Sequence, residues 1–485
     1  MRKSGILLHI TSLPSRYGVG TLEESGKFIR FLKSAKQSYW QILPVTPTDT
    51  HNSPYAAPSA FAGNVLFIDA ADLCKRGYVS FEQVKACRGA KGIDYGYARR
   101  NKEKLLRQAF CVFLKNEPPA DYRDFCEQNS YWLKDYALFC AATEHFGASR
   151  SDWPDEGLRM HKAESVTKYS ELLAEEAEYY VFCQYLFFSQ WKRFRHTLLE
   201  EGIKLFGDIP MYVSYDSADV WAHPELFDLD EKGNPKNVAG VPPDYFSPDG
   251  QLWGNPLYDW ERMKKSGYDW WMRRIEHCSR LFDVLRIDHF RAFDSYYAVP
   301  FGQKTAKFGR WKKGVGAELL EKAIKTFPEL TIVAEDLGYI PQSVTELRKK
   351  LGIPGMKILQ FAFDGGTDNP FLPQNYEKNC VAYLGTHDND TTVGWWNSAD
   401  ESIRANAQKW CGVKDSPVRE LMTALAESDA DTVVFTMQDV AEKGGEYRMN
   451  RPGQAGGWSY MADSADLSAG NAKRLAALTE KTNRT

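Results

Sequence analysis

Eight short runs rich in Val, Ile, Leu, Phe and Tyr recur along this chain, and helix-like stretches separate most of them. The runs are GILLHITSL (5–13), YWQILPVTP (39–47), IKLFGDIPMYV (203–213), DVLRIDHF (283–290), TIVAEDL (331–337), MKILQFAF (356–363), CVAYLGTHD (380–388) and TVVFTMQD (432–439). Each is bounded by turn residues, as strands are. EESGKFIRFLKSA (23–35), VTELRKKLG (344–352) and VRELMTALAES (418–428) read as helices between them. Strand and helix alternating eight times predict an α/β fold, the (β/α)8 TIM barrel. The chain has 485 residues, well beyond the about 250 that such a barrel needs. Large insertions between barrel strands must take up the excess.

Two connections are long enough to hold them. The connection 48–202 contains KEKLLRQAFCVFLKN (102–116) and AEEAEYYVFCQYLFFSQWKRFRHTLLEEG (174–202), and residues 49–200 of it read as a mostly helical inserted subdomain whose last helix returns to the barrel. Residues 214–275 are rich in Pro, Gly and Trp, with AGVPPDYFSPDGQLWGNPLYDW at 239–260. A long connection of that composition inside a compact domain is a functional loop or lid, here expected over the active site. After about residue 464 the chain reads as a surface helix with a frayed end. Residues 1–485 thus form one barrel with two inserted regions.

Composition removes several classes of partner. Lys and Arg number 61 against 64 Asp and Glu, a net charge of −3, with no strong basic stretch, so nucleic acid is not expected. No apolar stretch reaches the about 18 residues of a membrane span. The nine cysteines show no Cys-x-x-Cys pair, which suits reduced thiols and a cytoplasmic setting. MRKSGILLHITSLPS lacks a signal peptide's apolar length and cleavage site. Aromatic residues make up 14%, enough for a large core and for sugar-stacking platforms.

Three runs end in a carboxylate: DVLRID at Asp288, TIVAE at Glu335 and CVAYLGTHD at Asp388. Catalytic groups of a parallel barrel gather at the C-terminal ends of its strands. Paired carboxylates suit glycosidic bond chemistry, one as nucleophile and one as acid/base. Arg286 precedes Asp288 by two residues, so on a strand both project to one side. A guanidinium there would favour the ionised form a nucleophile needs. Glu335 follows an apolar run, and burial would raise its pKa as a general acid requires. Its neighbour Asp336 competes for that role; strand alternation puts Glu335, not Asp336, in phase with Val333. His387 and Asp388 would bind sugar hydroxyls and stabilise positive charge. A metal site built from Asp288, His289, His387 and Asp388 is disfavoured, because adjacent strand residues face opposite sides and no HExxH or paired-Cys motif occurs.

LRIDHFRAF (285–293), VAEDLGYI (333–340) and YLGTHDNDTT (383–392) resemble the nucleophile, acid/base and third-carboxylate segments of the α-amylase clan. GDIPMYV (207–213) resembles its third-strand motif, and SPYAAPSAFAGN (53–64) and YRMNRPG (447–453) point to glycoside hydrolase family 77, the 4-α-glucanotransferases or amylomaltases. The resemblance runs from GILLHITSLPS to GGWSY near residue 460; GGW at 456–458 departs from the Gly-Asn-Trp it leads one to expect. It implies Asp288 as nucleophile, Glu335 as general acid/base and Asp388 as transition-state stabiliser. Tyr55, Asp208, Arg286, His289, Asp364 and His387 are implied sugar contacts, and Trp253 a residue of the acceptor-side loop. It implies no cofactor, no metal and no C-terminal β-sandwich. The implied reaction transfers α-1,4-glucan segments from a maltodextrin donor to a maltodextrin acceptor by retaining double displacement. The alternative is an α-glucan hydrolase of amylase type; a non-catalytic starch-binding protein is a third reading, disfavoured by the intact carboxylates. Three carboxylates do not separate transfer from hydrolysis. That depends on holding an acceptor and excluding water, for which Tyr245, Trp253 and Tyr258 in the 239–260 loop are candidates.

Overall fold

The computed structural model describes residues 2–243, 247–453 and 456–485. Its strands are β1 (Lys3–Leu7), β2 (Tyr39–Gln41), β3 (Lys204–Ile209), β4 (Asn237–Val241), β5 (Gln251–Pro256), β6 (Val284–Ile287), β7 (Ser295–Pro300), β8 (Arg310–Lys313), β9 (Thr331–Ala334), β10 (Gly355–Ile358), β11 (Cys380–Tyr383) and β12 (Thr432–Thr436). Eight of these lie one in each of the eight apolar runs. They form a parallel sheet in the order β10-β11-β12-β1-β2-β3-β6-β9, the (β/α)8 barrel. Side chains from seven of these strands fill its interior: Leu7, Phe206, Val284, Val333, Met356, Ile358, Val381, Tyr383 and Val434 are all buried together. The alternate residues face the surrounding helices, which is why the runs read as continuously apolar.

Closure between β9 and β10 differs from the other joins. No ladder is formed there. Ala334 N donates to Pro354 O at 2.9 Å, and the Asp336 carboxylate takes the next position by accepting from Met356 N at 2.7 Å. Arg348 Nε lies 3.0 Å from the other Asp336 oxygen. Position 355 must be glycine, since a Cβ there would come within 2.4 Å of Asp336 Oδ2. The seam is therefore a side chain substituting for a strand's backbone.

Between β2 and β3 the chain runs through helices that include Tyr95–Phe113, Leu133–Phe146 and Ala174–Glu200. The last returns to the barrel, where Arg195 forms two hydrogen bonds with Asp283, at 2.6 and 2.8 Å. Between β3 and β9 lies a second, four-stranded antiparallel sheet in the order β5-β4-β7-β8, an element absent from the sequence reading. Half of it comes from the β3–β6 connection and half from the β6–β9 connection, so it spans two barrel loops at the mouth.

After β12 the described residues contain only helices and loops, ending in the helix Ala469–Lys481. The frayed end expected from sequence is instead anchored. Arg484 is fully buried, and its guanidinium donates to the carbonyls of Ala426, Ser428 and Ala430 at 2.7, 2.8 and 2.8 Å. Among the described residues, no helix is long and apolar enough to cross a membrane.

Candidate active site

Adjacent strands supply the centre of the site. Asp208 on β3 and Arg286 on β6 are partners in the ladder, and both are buried. Arg286 Nη1 donates to both oxygens of Asp208, at 2.8 and 2.7 Å. Its Nη2 donates to Asp288 Oδ1 at 2.7 Å, so the two-residue spacing read from sequence becomes direct contact. Burial opposes the Arg286 charge, but Asp208 and Asp288 outweigh it and hold its pKa well above the usual value. Burial pushes Asp208 upward, with Arg286 opposing. With three hydrogen bonds on its two oxygens, two from Arg286 Nη1 and one from the Tyr55 hydroxyl, Asp208 is best satisfied as a carboxylate. Gly207 makes room for this arrangement: a Cβ there would sit 2.3 Å from the Phe282 ring.

Immediately after Asp288 the chain turns sharply. His289 takes a left-handed conformation, φ 51°, uncommon for a residue with a side chain and a mark of functional sites. The turn aims the His289 amide at Glu335 Oε2, 2.8 Å away; Leu337 N donates to Oε1 at 3.2 Å. Burial first, then the Asp288 charge, pushes Glu335 up to about 8. Asp336 points instead to the seam, which separates the two candidates for the acid by location. Burial drives His289 down to about 3, so its ring is neutral, and Nε2 has no hydrogen-bond partner among the described residues.

The third carboxylate lies across the mouth. Asp388 is the most open of this group, its side chain 42% exposed. Asn450 Nδ2 donates to Asp388 Oδ1 at 2.6 Å, and Arg448 Nη2 donates to its backbone carbonyl. His387 Nε2 is 3.3 Å from Asp388 Oδ2. Tyr55 joins the two halves: its hydroxyl donates to Asp208 Oδ2 at 2.6 Å and lies 3.0 Å from His387 Nε2. Its ring stacks on His387 at 5.4 Å and 13°, and Trp458 packs 5.9 Å from each of them. A continuous circuit thus runs Asp288–Arg286–Asp208–Tyr55–His387–Asp388. Tyr55 serves as its link as well as an aromatic wall.

Of these groups, Tyr55, Asp288, His289, His387, Asp388, Asn450 and Trp458 line a cleft of about 480 Å³ together with Tyr212 and Trp253, while Asp208, Arg286 and Glu335 lie outside its lining. Trp253 on β5 is 38% exposed, with its ring edge-on to His289 at 4.8 Å. Tyr258 is different from expectation. It is buried, stacks on Tyr212 at 6.0 Å, and donates to Met211 O at 2.9 Å, so it supports the wall from behind. Tyr245 lies outside the described residues. Asp364 stands apart: it is exposed on the loop after β10, accepts from Asn369 Nδ2 at 3.1 Å, and does not line the cleft. Arg448, Asn450 and Trp458 are contacts that residue-by-residue reading missed, although YRMNRPG and GGW flagged their segments. Among the described residues no three His, Cys, Asp or Glu side chains group as metal ligands.

The profile of one family, described as 4-α-glucanotransferase, matches residues 8–465. A 4-α-glucanotransferase of Thermus thermophilus is 44% identical, over 100% of this chain and 99% of its own. That of Clostridium butyricum is 41% identical over 94% of this chain and 95% of its own. Among solved structures, the amylomaltase of Streptococcus agalactiae in complex with acarbose aligns over the whole of both chains, with 36% identity and a TM-score of 0.97. A barrel whose mouth gathers three carboxylates, matched at this level along its full length, belongs to the 4-α-glucanotransferases of glycoside hydrolase family 77.

Proposed function

We propose that this glycosyltransferase moves α-1,4-glucan segments between maltodextrins with Asp288 as nucleophile, Glu335 as general acid/base and Asp388 as stabilising carboxylate. The observation that carries the assignment is the pairing of unlike carboxyl environments. Asp288 is tied to a guanidinium, while Glu335, the next carboxyl group, is held protonated to about pH 8. A carboxylate held by a guanidinium beside a carboxyl group that burial keeps protonated fits a nucleophile paired with an acid.

In the first step Asp288 attacks the anomeric carbon, the glycosidic C–O bond breaks, and Glu335 gives its proton to the leaving oxygen. Arg286 occupies Asp288 Oδ1, which leaves Oδ2 to attack. Asp388 and His387 take sugar hydroxyls and oppose the developing positive charge. In the second step the 4-OH of an acceptor attacks the glucosyl ester, Glu335 takes its proton, and Asp288 leaves as carboxylate. Two inversions give retention. His289 Nε2, neutral at the cleft wall and without a hydrogen-bond partner among the described residues, supplies a hydroxyl contact, and Asp364, exposed on the loop after β10, is open to a sugar outside the cleft. The 214–275 region carries Trp253 over the cleft and serves as the acceptor-side insertion, beside the helical subdomain of 49–200. The nine cysteines are all free thiols, which supports a cytoplasmic site of action.

Maltotriose incubated with the protein should give glucose and a ladder of longer maltodextrins. Reducing ends that rise without a ladder would mean hydrolysis instead. Asp288→Asn should lower turnover by several orders of magnitude, and a slow-leaving fluorinated glucosyl donor should label Asp288 in the wild type. Label on another carboxylate would overturn the assignment.

A further inference from the structure

We infer that Trp311 and Tyr339, held by Arg291, form a second carbohydrate contact on the rim, where they carry the part of a long α-glucan acceptor that extends beyond the cleft. The inference rests on the functional reading above and extends it outward.

Two large rings stand open to solvent here, Trp311 41% and Tyr339 82% exposed. One residue joins them. The Arg291 guanidinium lies 3.8 Å from the centre of the Trp311 ring, and Arg291 Nη1 donates to the Tyr339 carbonyl at 2.6 Å. Arg291 itself is only 8% exposed, and its Nε has no hydrogen-bond partner among the described residues. A buried, incompletely satisfied guanidinium is unfavourable for the fold. What it does here is brace one exposed ring from beneath by a cation–π contact and pin the backbone that carries the other. A ring that merely covered Arg291 would explain Trp311; it does not explain Tyr339, which covers almost nothing.

Short stretches of chain tie the position to the catalytic groups. Arg291 follows His289 by two residues, and the His289 ring touches Trp253 inside the cleft. Tyr339 follows Glu335 by four residues. β6 and β9 are neighbours in the barrel, so the loops that carry Arg291 and Tyr339 leave the mouth side by side, on the side of the acid. The general acid stands at the leaving oxygen. The sugar that departs, and the acceptor that replaces it, therefore lie on that side. The cleft, about 480 Å³, accommodates a few sugar rings, whereas a glucan continues. Flat rings suit such a chain because stacking tolerates many registers, as it does for polymeric nucleic acid ligands.

The test compares acceptors of different length. With maltotriose as donor, kcat/KM is measured for glucose and for maltohexaose as acceptors, in wild type, Trp311→Ala and Tyr339→Ala. The ratio of maltohexaose to glucose should fall about tenfold when one stacking ring is lost. Phe81→Ala, which removes an exposed ring in the helical region, should leave that ratio at the wild-type value. If Trp311→Ala fails to fold, Tyr339→Ala decides, since its ring packs against little. A wild-type ratio in Tyr339→Ala would overturn the second contact while leaving the transferase reading intact. A wild-type protein that transfers to no acceptor would overturn both.

Discussion

Tyr55→Phe removes one oxygen from the hydrogen-bond circuit and leaves the aromatic wall in place. The hydroxyl donates to the fully buried Asp208 at 2.6 Å and meets His387 Nε2 at 3.0 Å. Burial, then the Asp208 charge, keeps the phenol pKa well above its usual range, so the hydroxyl keeps the proton it donates to Asp208. A hydrogen bond to a charged group contributes about 1.5–3 kcal/mol. Asp208 keeps both bonds from Arg286, so the fold should survive. The Phe ring should still stack on His387. What is lost is the connection between the Asp288 half of the site and the Asp388 half. If that connection matters mostly in the transition state, kcat should fall about 10- to 100-fold, the equivalent of about 1.4–2.8 kcal/mol, with KM within about threefold. The assay is initial-rate transfer from maltotriose over pH 5–9. The loss should be uniform with pH. A double-mutant cycle with Asp208→Asn should show coupling of about 0.5–3 kcal/mol. Refutation would be kcat within threefold of wild type, or additive losses in the cycle; the hydroxyl would then be mere packing.

Glu335→Gln should abolish the alkaline limb near pH 8 and most activity towards poor leaving groups, while glucosyl fluoride recovers much of the first step. The folded chain holds the Glu335 proton from about 4.5 up to about 8, so wild type loses stability relative to this variant as pH rises through that window. Thermal melts should show Glu335→Gln the more stable at pH 8 and the two converging at pH 4. Trp253→Ala should raise the ratio of hydrolysis to transfer about tenfold, if the ring contributes about 1–3 kcal/mol of stacking to the acceptor; an unchanged ratio of reducing ends to redistributed maltodextrins would make it scaffolding. Asn450→Ala should lower kcat about tenfold by releasing Asp388 Oδ1, at about 1.5 kcal/mol for a bond to a charge. Asn450→Asp should be worse, because it faces one carboxylate with another; equal rates in the two variants would count against the contact.

The barrel was legible because its strands are buried on both faces and so read as unbroken apolar runs, even where, as in β2, only three residues form the strand. The second sheet was not. Arg310–Lys313 reads RWKK and is largely exposed, and Gln251–Pro256 is exposed over most of its length; neither shows the alternation that marks a half-buried strand. Strand-end carboxylates and the Arg286–Asp288 spacing are local signals. The Asp208–Tyr55 bond joins residues 153 apart, and Asn450 reaches Asp388 from 62 residues away. Such pairings are decided by how loops meet at the mouth, which local periodicity does not encode. The same holds for Tyr258, whose place in an aromatic loop suggested an acceptor contact and whose hydroxyl instead donates to the buried Met211 carbonyl.

The seam beside β9 gives Glu335, the proposed acid, an unusual address. Where a barrel is joined by several backbone hydrogen bonds, opening one join means losing them all at once. Here one main-chain bond and one carboxylate do the work, one residue away from Glu335. Local opening should therefore begin at this join, with the amides of Ala334 and Met356 exchanging with solvent before those of β1 or β12. An excursion of that kind would move Glu335 before it disturbs any other part of the barrel. On warming or in mild denaturant, turnover should vanish while the helices and most of the sheet remain, so that activity becomes a gauge of one latch rather than of the whole fold.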